Sequence, residues 1–195
     1  MKIQAKTKEL LGVAGALLLV LWVSGAADKP AWVALFNGKD LKGWIGMNDV
    51  QGEVVDGNLR VGKGMGWLRL EKEYKDFILE FEWRALEEQY DSGIYFRAPL
   101  EGKPWPDAGF QVNLRYNALG ALVKNRKTIV PAETPKLPIN QWHKLRLEAR
   151  GKKAKLVING EDNWETDLLD RETGYLGIQI EGKAFDFRNI RLQEL

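Results

Sequence analysis

The sequence predicts an all-β fold, a sandwich or jelly roll of about ten to thirteen short strands. Three observations predict it. Short runs rich in aromatic and β-branched residues recur along the chain, turn dipeptides separate them at even spacing, and no long stretch has helical periodicity.

The elements follow in order. Residues 53–55 and 58–61 flank Asp56-Gly57, a two-residue hairpin signal. Residues 76–85 (DFILEFEWRA) alternate, with Phe77, Leu79, Phe81 and Trp83 on one face and Ile78, Glu80 and Glu82 on the other. Residues 92–98 and 109–115 are two further strands, and 121–124 is a shorter one. Residues 142–149 alternate again, with Leu145 and Leu147 inward and Lys144, Arg146 and Glu148 outward. Residues 154–158 run into Asn159-Gly160, a second hairpin signal, and 175–181 and 185–192 close the chain. The Pro-containing stretches 99–106 and 131–138 read as loops, the first long enough to border a site. A single domain over residues 27–195 is expected, since neither a composition shift nor an internal repeat divides it.

The first 26 residues differ from the rest. Lys2, Lys6 and Lys8 precede an apolar run from Leu10 to Val23, and Ser24-Gly25-Ala26 follows with small residues suited to cleavage. This is the layout of a secretory signal peptide, and the run is short for a membrane span. The expected location is periplasmic or secreted. Membrane contact would arise only if the segment stayed uncleaved.

Charge and composition exclude several classes. The full chain carries +2, and Lys2, Lys6, Lys8 and Glu9 account for it, leaving residues 27–195 with 26 basic and 26 acidic side chains. A neutral domain lacks the basic face that nucleic acid requires. There is no cysteine, which removes disulfides, thiolate nucleophiles and Cys-ligated metals, and His143 is the one histidine, which removes a multi-His zinc site. Chemistry must rest on carboxylates, amides, Tyr, Lys, Arg or a bound ion.

Alternation also shows what the non-core faces carry. Glu80 and Glu82 share one face, about 7 Å apart by strand rise, suited to acid and base or to salt bridges with neighbouring Arg. Gln111, Asn113 and Arg115 share another, Gln179 and Glu181 a third, and Tyr95 and Arg97 a fourth. Amides, carboxylates and Arg are what sugar hydroxyls need, because hydroxyls both donate and accept. Trp105, in the Pro-flanked loop, is a candidate for stacking on a pyranose, whereas Trp83 and Trp142 adjoin core runs and read as packing. His143 reads as structural. Glu80, Glu82, Asp91, Glu181 and Asp186 are the oxygen ligands available to Ca²⁺ or another divalent cation, with no cofactor otherwise indicated.

An ordered set of motifs then stands out: LFNGKDLKGW at 35–44, EVVDGNL at 53–59, YKDFILEFE at 74–82, DSGIYFR at 91–97, GFQVN at 109–113, NQWH at 140–143 with Asn159-Gly160, GIQ at 177–179 and FRNI at 187–190. The set resembles the 3-keto-disaccharide hydrolase family over nearly all of residues 27–195. The resemblance implies a concanavalin A-like jelly-roll β-sandwich and cleavage of glycosides already oxidised to a ketone at C3. On that reading Glu82 and Glu181 are the candidate acid and base, and Arg97, Gln111, Asn113 and Gln179 position a carbohydrate. The chain departs from the family pattern at Gln111, where Glu is usual, at Asn113 in place of Gln, at Asp91 in place of Asn, and at Glu181, where many members carry His. Those exchanges imply either a different substrate or a non-catalytic, lectin-like carbohydrate-binding module. A partner-binding sandwich with no sugar ligand is the third reading.

Overall fold

The computed structural model describes residues 30–132 and 134–195; the expected signal peptide, residues 1–26, lies outside them. The described residues form two antiparallel sheets packed face to face, with no helix.

The back sheet runs in the order β13 (Glu161–Thr166), β12 (Lys153–Ile158), β11 (His143–Arg150), β6 (Phe77–Ala85), β15 (Phe185–Glu194), β4 (Asn58–Val61) and β3 (Glu53–Val55), with β1 (Val33–Ala34) also paired to β15. The front sheet runs β10 (Lys127–Val130), β9 (Leu122–Lys124), β8 (Phe110–Asn113), β7 (Gly93–Ala98), β14 (Gly174–Glu181), β5 (Met65–Tyr74) and β2 (Trp44–Met47).

Every strand expected from the sequence is present within a few residues, and both hairpin signals hold. Asp56 and Gly57 have φ of 50° and 75°, and Asn159 and Gly160 have 53° and 86°, the paired positive values of a type I′ turn. Five further strands were not legible by alternation. β1 and β2 are short, β10 and β13 are edge strands, and β5 is a central ten-residue strand whose second half (Glu71, Lys72, Glu73) is exposed, which blurs its pattern.

The core lies between the sheets. Phe77, Leu79, Phe81 and Trp83 of β6 meet Ile94, Phe96, Phe110, Val112, Ile178 and Ile180 of the front sheet, all buried. Burying each large apolar side chain contributes roughly 1.5–3 kcal/mol, so this layer carries most of the fold's stability. Trp83 packs there as expected, against Tyr90, His143 and Phe185. His143 is buried, with Nε2 3.0 Å from the Pro138 carbonyl, in the structural role expected of it. Trp142 corrects the expectation of a core residue. It sits outside the sandwich, with the Arg84 and Arg188 guanidiniums 4.6 Å and 3.9 Å from its ring centre.

Two bulges re-aim side chains. Between β7 and β14, Tyr95 pairs with Gly177 but Ala98 pairs with Tyr175, so β7 carries one extra residue. Arg97 occupies that bulge with φ of 46°. Between β15 and β6, Arg188 pairs with Glu82 and Arg191 with Glu80, with Asn189 left-handed at φ of 53° in the bulge.

Candidate functional site

The outer surface of the front sheet is built by the odd members of its strands. On β14, Leu176, Ile178 and Ile180 fill the core, which turns Tyr175, Gly177, Gln179 and Glu181 outward. On β5, Leu68 and Leu70 point in and Trp67 and Arg69 point out. On β8, Phe110 and Val112 point in and Gln111 and Asn113 point out. β7 contributes Tyr95, and its bulge turns Ala98 to this side as well. Trp67, Tyr95 and Ala98 form a small apolar cluster, with Met47, Trp105 and Tyr175 packed around it.

Two glycines make this face close-packed. A Cβ at Gly177 would lie 2.5 Å from Trp67 Cε3, so only glycine lets the indole lie down across β14. A Cβ at Gly93 would collide with the Gln111 side-chain amide in the same way. Trp67 then meets Tyr95 edge to face, with ring centres 5.8 Å apart.

Beside this aromatic floor runs a chain of amides. Gln111 Nε2 donates to Gln179 Oε1, and Gln179 Nε2 donates to Glu181 Oε2 at 2.7 Å. Gln111 and Gln179 are buried, so their side chains are fixed by this chain. Glu181 is half-buried. Burial, and then the nearby Asp91 carboxylate, push its carboxyl above the usual range against the pull of Arg115. Burial also raises Asp91, although Arg115 Nε lies 3.2 Å from its Oδ2. Tyr95 is kept a neutral phenol by burial and by the charge of Glu181. The site therefore offers a poised carboxylate, a fixed amide chain, a phenol donor and aromatic rings.

The loop after β7 closes one side. Trp105 packs on the Trp67–Tyr95 cluster, and its Nε1 reaches the Ile180 carbonyl at 3.3 Å. Asn48 Nδ2 donates to the Pro104 carbonyl at 2.6 Å and ties this loop to the segment after β2. Between the loop and β8 lies a cavity of about 20 Å³ bordered by Tyr95, Trp105, Gln111 and Arg126, room for about one water molecule. The face is otherwise a shallow surface.

The expected site residues divide. Gln111, Gln179, Glu181, Asn113 and Trp105 all lie on this face. Glu82 does not. It stands on the outer surface of the back sheet, where Arg188 Nε donates to its Oε2 at 2.7 Å. Glu82 and Glu181 thus lie on opposite sides of the core and cannot act as one acid–base pair. Arg97 also corrects its expected role. The bulge sends its side chain to the end of the sandwich, where it is fully buried. There its Nε donates to the Lys75 carbonyl, Nη1 to those of Gly151 and Arg171, and Nη2 to Asp76 Oδ1. Four of its five N–H groups are committed in this buried setting, so Arg97 ties loops together instead of binding a ligand.

The five carboxylates considered as cation ligands do not converge. Asp91 and Glu181 are on the front face, and Glu80, Glu82 and Asp186 are on the back face. Asp186 is moreover clamped by Arg60 at 2.7 Å and Arg84 at 2.8 Å. Trp67 and Arg69 also face outward on β5, a strand whose exposed second half hides it in the sequence. The Trp67-Leu68-Arg69-Leu70 alternation is the signal that would have found them.

The two-sheet antiparallel sandwich is a fold shared with several proteins of known structure. A glycosyl hydrolase, provisionally so assigned, from Parabacteroides distasonis ATCC 8503 superposes with a TM-score of 0.70 at 22% identity, covering 84% of this chain and 94% of that one. The carbohydrate binding module CBM66 from Bacillus subtilis gives a TM-score of 0.66 at 17% identity, covering 78% and 96%. A Bacillus subtilis protein of unknown function with a galectin-like fold gives 0.67 at 15% identity, covering 84% and 94%. At these identities the likeness is one of fold. No curated protein matches the sequence. Residues 31–193 match the family of 3-keto-alpha-glucoside-1,2-lyase-like domains, and the chain belongs to that family.

Proposed function

We propose that this protein is an exported carbohydrate-active domain of concanavalin A-like jelly-roll type, which cleaves 3-keto glycosides on its front face. The observation that carries this reading is Glu181, a half-buried carboxylate with a raised pKa, oriented by Gln179 and set beside Tyr95 and the Trp67 ring. A raised carboxyl is suited to taking a proton near neutral pH.

The chemistry follows from the substrate. A ketone at C3 acidifies the hydrogen on C2. Glu181 takes that proton, the C2–H electron pair forms a C1=C2 double bond, and the C1–O bond breaks, with the leaving oxygen collecting a proton. Water adding across C1=C2 afterwards makes the net change a hydrolysis. The Tyr95 phenol, held neutral, can donate to developing negative charge on the ketone oxygen, and Gln111, Asn113 and Gln179 supply hydroxyl contacts. Family membership supports the substrate class. Ca²⁺ or another divalent cation stays a candidate aid, with Asp91 and Glu181 as the carboxylates nearest one another on this face.

A second reading, a carbohydrate-binding module without turnover, is favoured by one feature: the amide chain places Gln111 where a titratable group would extend the chemistry, and the chain's one histidine is in the core.

The test incubates the purified protein with 3-keto glycosides and their unoxidised parents, with and without Ca²⁺ and Mn²⁺, and follows aglycone release. Release from the keto compounds alone, lost in Glu181→Gln, is the expected result. Saturable sugar binding without release supports the binding module. Neither release nor binding sinks both readings.

A further inference from the structure

A large cavity lies on the opposite face from Glu181. It measures about 780 Å³ and opens on the outer surface of the back sheet, a volume within the usual range of small-molecule sites. Its charged lining is ordered by strand register. Lys144 of β11 and Arg188 of β15 lie directly across from Glu82 of β6, one on each side. One step along, Arg146 and Arg191 flank Glu80 in the same way. The surface thus carries two rows, each reading cation, carboxylate, cation, about 7 Å apart by strand rise.

Each row sets two cations against one carboxylate, and the Glu80 row is partly offset by Glu148, 3.8 Å from Arg146, so the freer charge is in the Glu82 row. Glu80 is saturated, by Arg146 Nη1 at 2.5 Å and by Arg191 Nε at 2.9 Å and Nη2 at 2.5 Å. Glu82 takes Arg188 Nε at 2.7 Å, and Lys144 forms no ion pair among the described residues. The surplus is local, since residues 27–195 as a whole are neutral. The guanidiniums are also held in place. Arg188 is stacked 3.9 Å from the Trp142 ring centre while Glu82 holds its Nε, which leaves its two terminal nitrogens to reach outward. Asn189, forced left-handed by the bulge, adds an amide beside the rows, and Val157, turned outward on β12 between core Leu156 and Ile158, adds an apolar side chain to the lining.

We propose that this cavity is a second binding site, separate from the front face, for a saccharide bearing acidic groups such as uronate carboxylates or sulfate esters. A bare inorganic anion would use only a small part of the volume. A neutral sugar would leave the surplus charges without partners. An acidic sugar meets the guanidinium edges and Lys144 with its charged oxygens and can rest its ring against Val157.

The test is calorimetric titration of the full-length protein with digalacturonate, a sulfated disaccharide, a neutral disaccharide and sodium sulfate. Binding of an acidic disaccharide, clearly tighter than the neutral one and weaker at high salt, is expected; whichever acid binds more tightly identifies the charged group. Lys144 is exposed, so Lys144→Gln leaves the fold intact, and it should weaken binding roughly fivefold, the worth of one exposed charge contact. Lys144→Gln with Arg146→Gln should weaken it further, with a melting curve checking the fold. Glu181→Gln should leave it unchanged, so loss of the front-face reading and loss of this one are told apart. Equal affinity for neutral and acidic sugars, sodium sulfate binding as tightly as either saccharide, or indifference to Lys144→Gln would overturn the proposal.

Discussion

The two outer faces of this sandwich are made by the same alternation, yet their carboxylates are in opposite states. On the back face Glu80, Glu82 and Asp186 are each neutralised by guanidinium groups. Burial alone would raise the Asp186 carboxyl, but the Arg60 and Arg84 hydrogen bonds outweigh it and hold it below its ordinary value; Arg191 and Arg146 do the same for Glu80. On the front face Glu181 and Asp91 are partly desolvated together, with Arg115 as the one nearby cation pulling them down, and both are raised. On the back face the charge is compensated by neighbours; on the front face it is left largely uncompensated, and the fold carries a small cost for it.

The strongest way to sharpen this contrast is to remove a group that belongs to neither face. Arg97→Met strips partners from three loop carbonyls and Asp76, and should lower unfolding free energy by about 2–4 kcal/mol in a denaturant titration. Any loss of sugar binding in that variant should track unfolding; weakened binding in a fully folded variant would return Arg97 to the site.

Asp186→Asn comes next. It leaves Arg60 and Arg84 facing an uncharged group and should cost about 2–3 kcal/mol at neutral pH, the guanidiniums being partly solvated. Because the folded pKa lies below the unfolded one, the wild-type advantage is present above the ordinary carboxylate range and fades as pH falls through the folded value. Melting curves at neutral and acid pH would show the variant converging on wild type; a constant gap would deny the clamp.

Gly177→Ala should cost about 1–3 kcal/mol by pushing Trp67 off β14, and should impair front-face sugar binding more than its stability loss explains. Normal binding in this variant would mean that the Trp67 ring is not part of the surface that matters.

The smallest effect has the opposite sign. Glu181 binds its proton more tightly folded than unfolded, so its contribution declines as pH rises from its ordinary value near 4.5 through the elevated folded value. Glu181→Gln should therefore gain up to about 1 kcal/mol at neutral pH, and the gain should vanish in acid. A loss of stability at neutral pH would mean that Glu181 is compensated like the back-face acids, and the comparison between the faces would fail.

Much of this was legible in the residues. The β6 alternation placed Phe77, Leu79, Phe81 and Trp83 in the core, and Asp56-Gly57 and Asn159-Gly160 placed two hairpins, because both signals are local. Gln111, Gln179 and Glu181 were legible as outward-facing for the same reason. Trp142 was not, because its ring is held by Arg84 and Arg188 from two other strands.

What the sequence by itself determined is the alternation of each strand, its turns, and the absence of thiol and multi-histidine chemistry. Which sheet each strand joins was decided only by the tertiary structure. Period-2 alternation tells a side chain to point away from the core but not out of which sheet, so Glu82 and Glu181, alike in sequence pattern, stand on opposite surfaces. Arg97 was lost to the same kind of argument: the extra residue in β7 appears only when its register against β14 is set, and that register turned an expected ligand contact into a buried tie between loops.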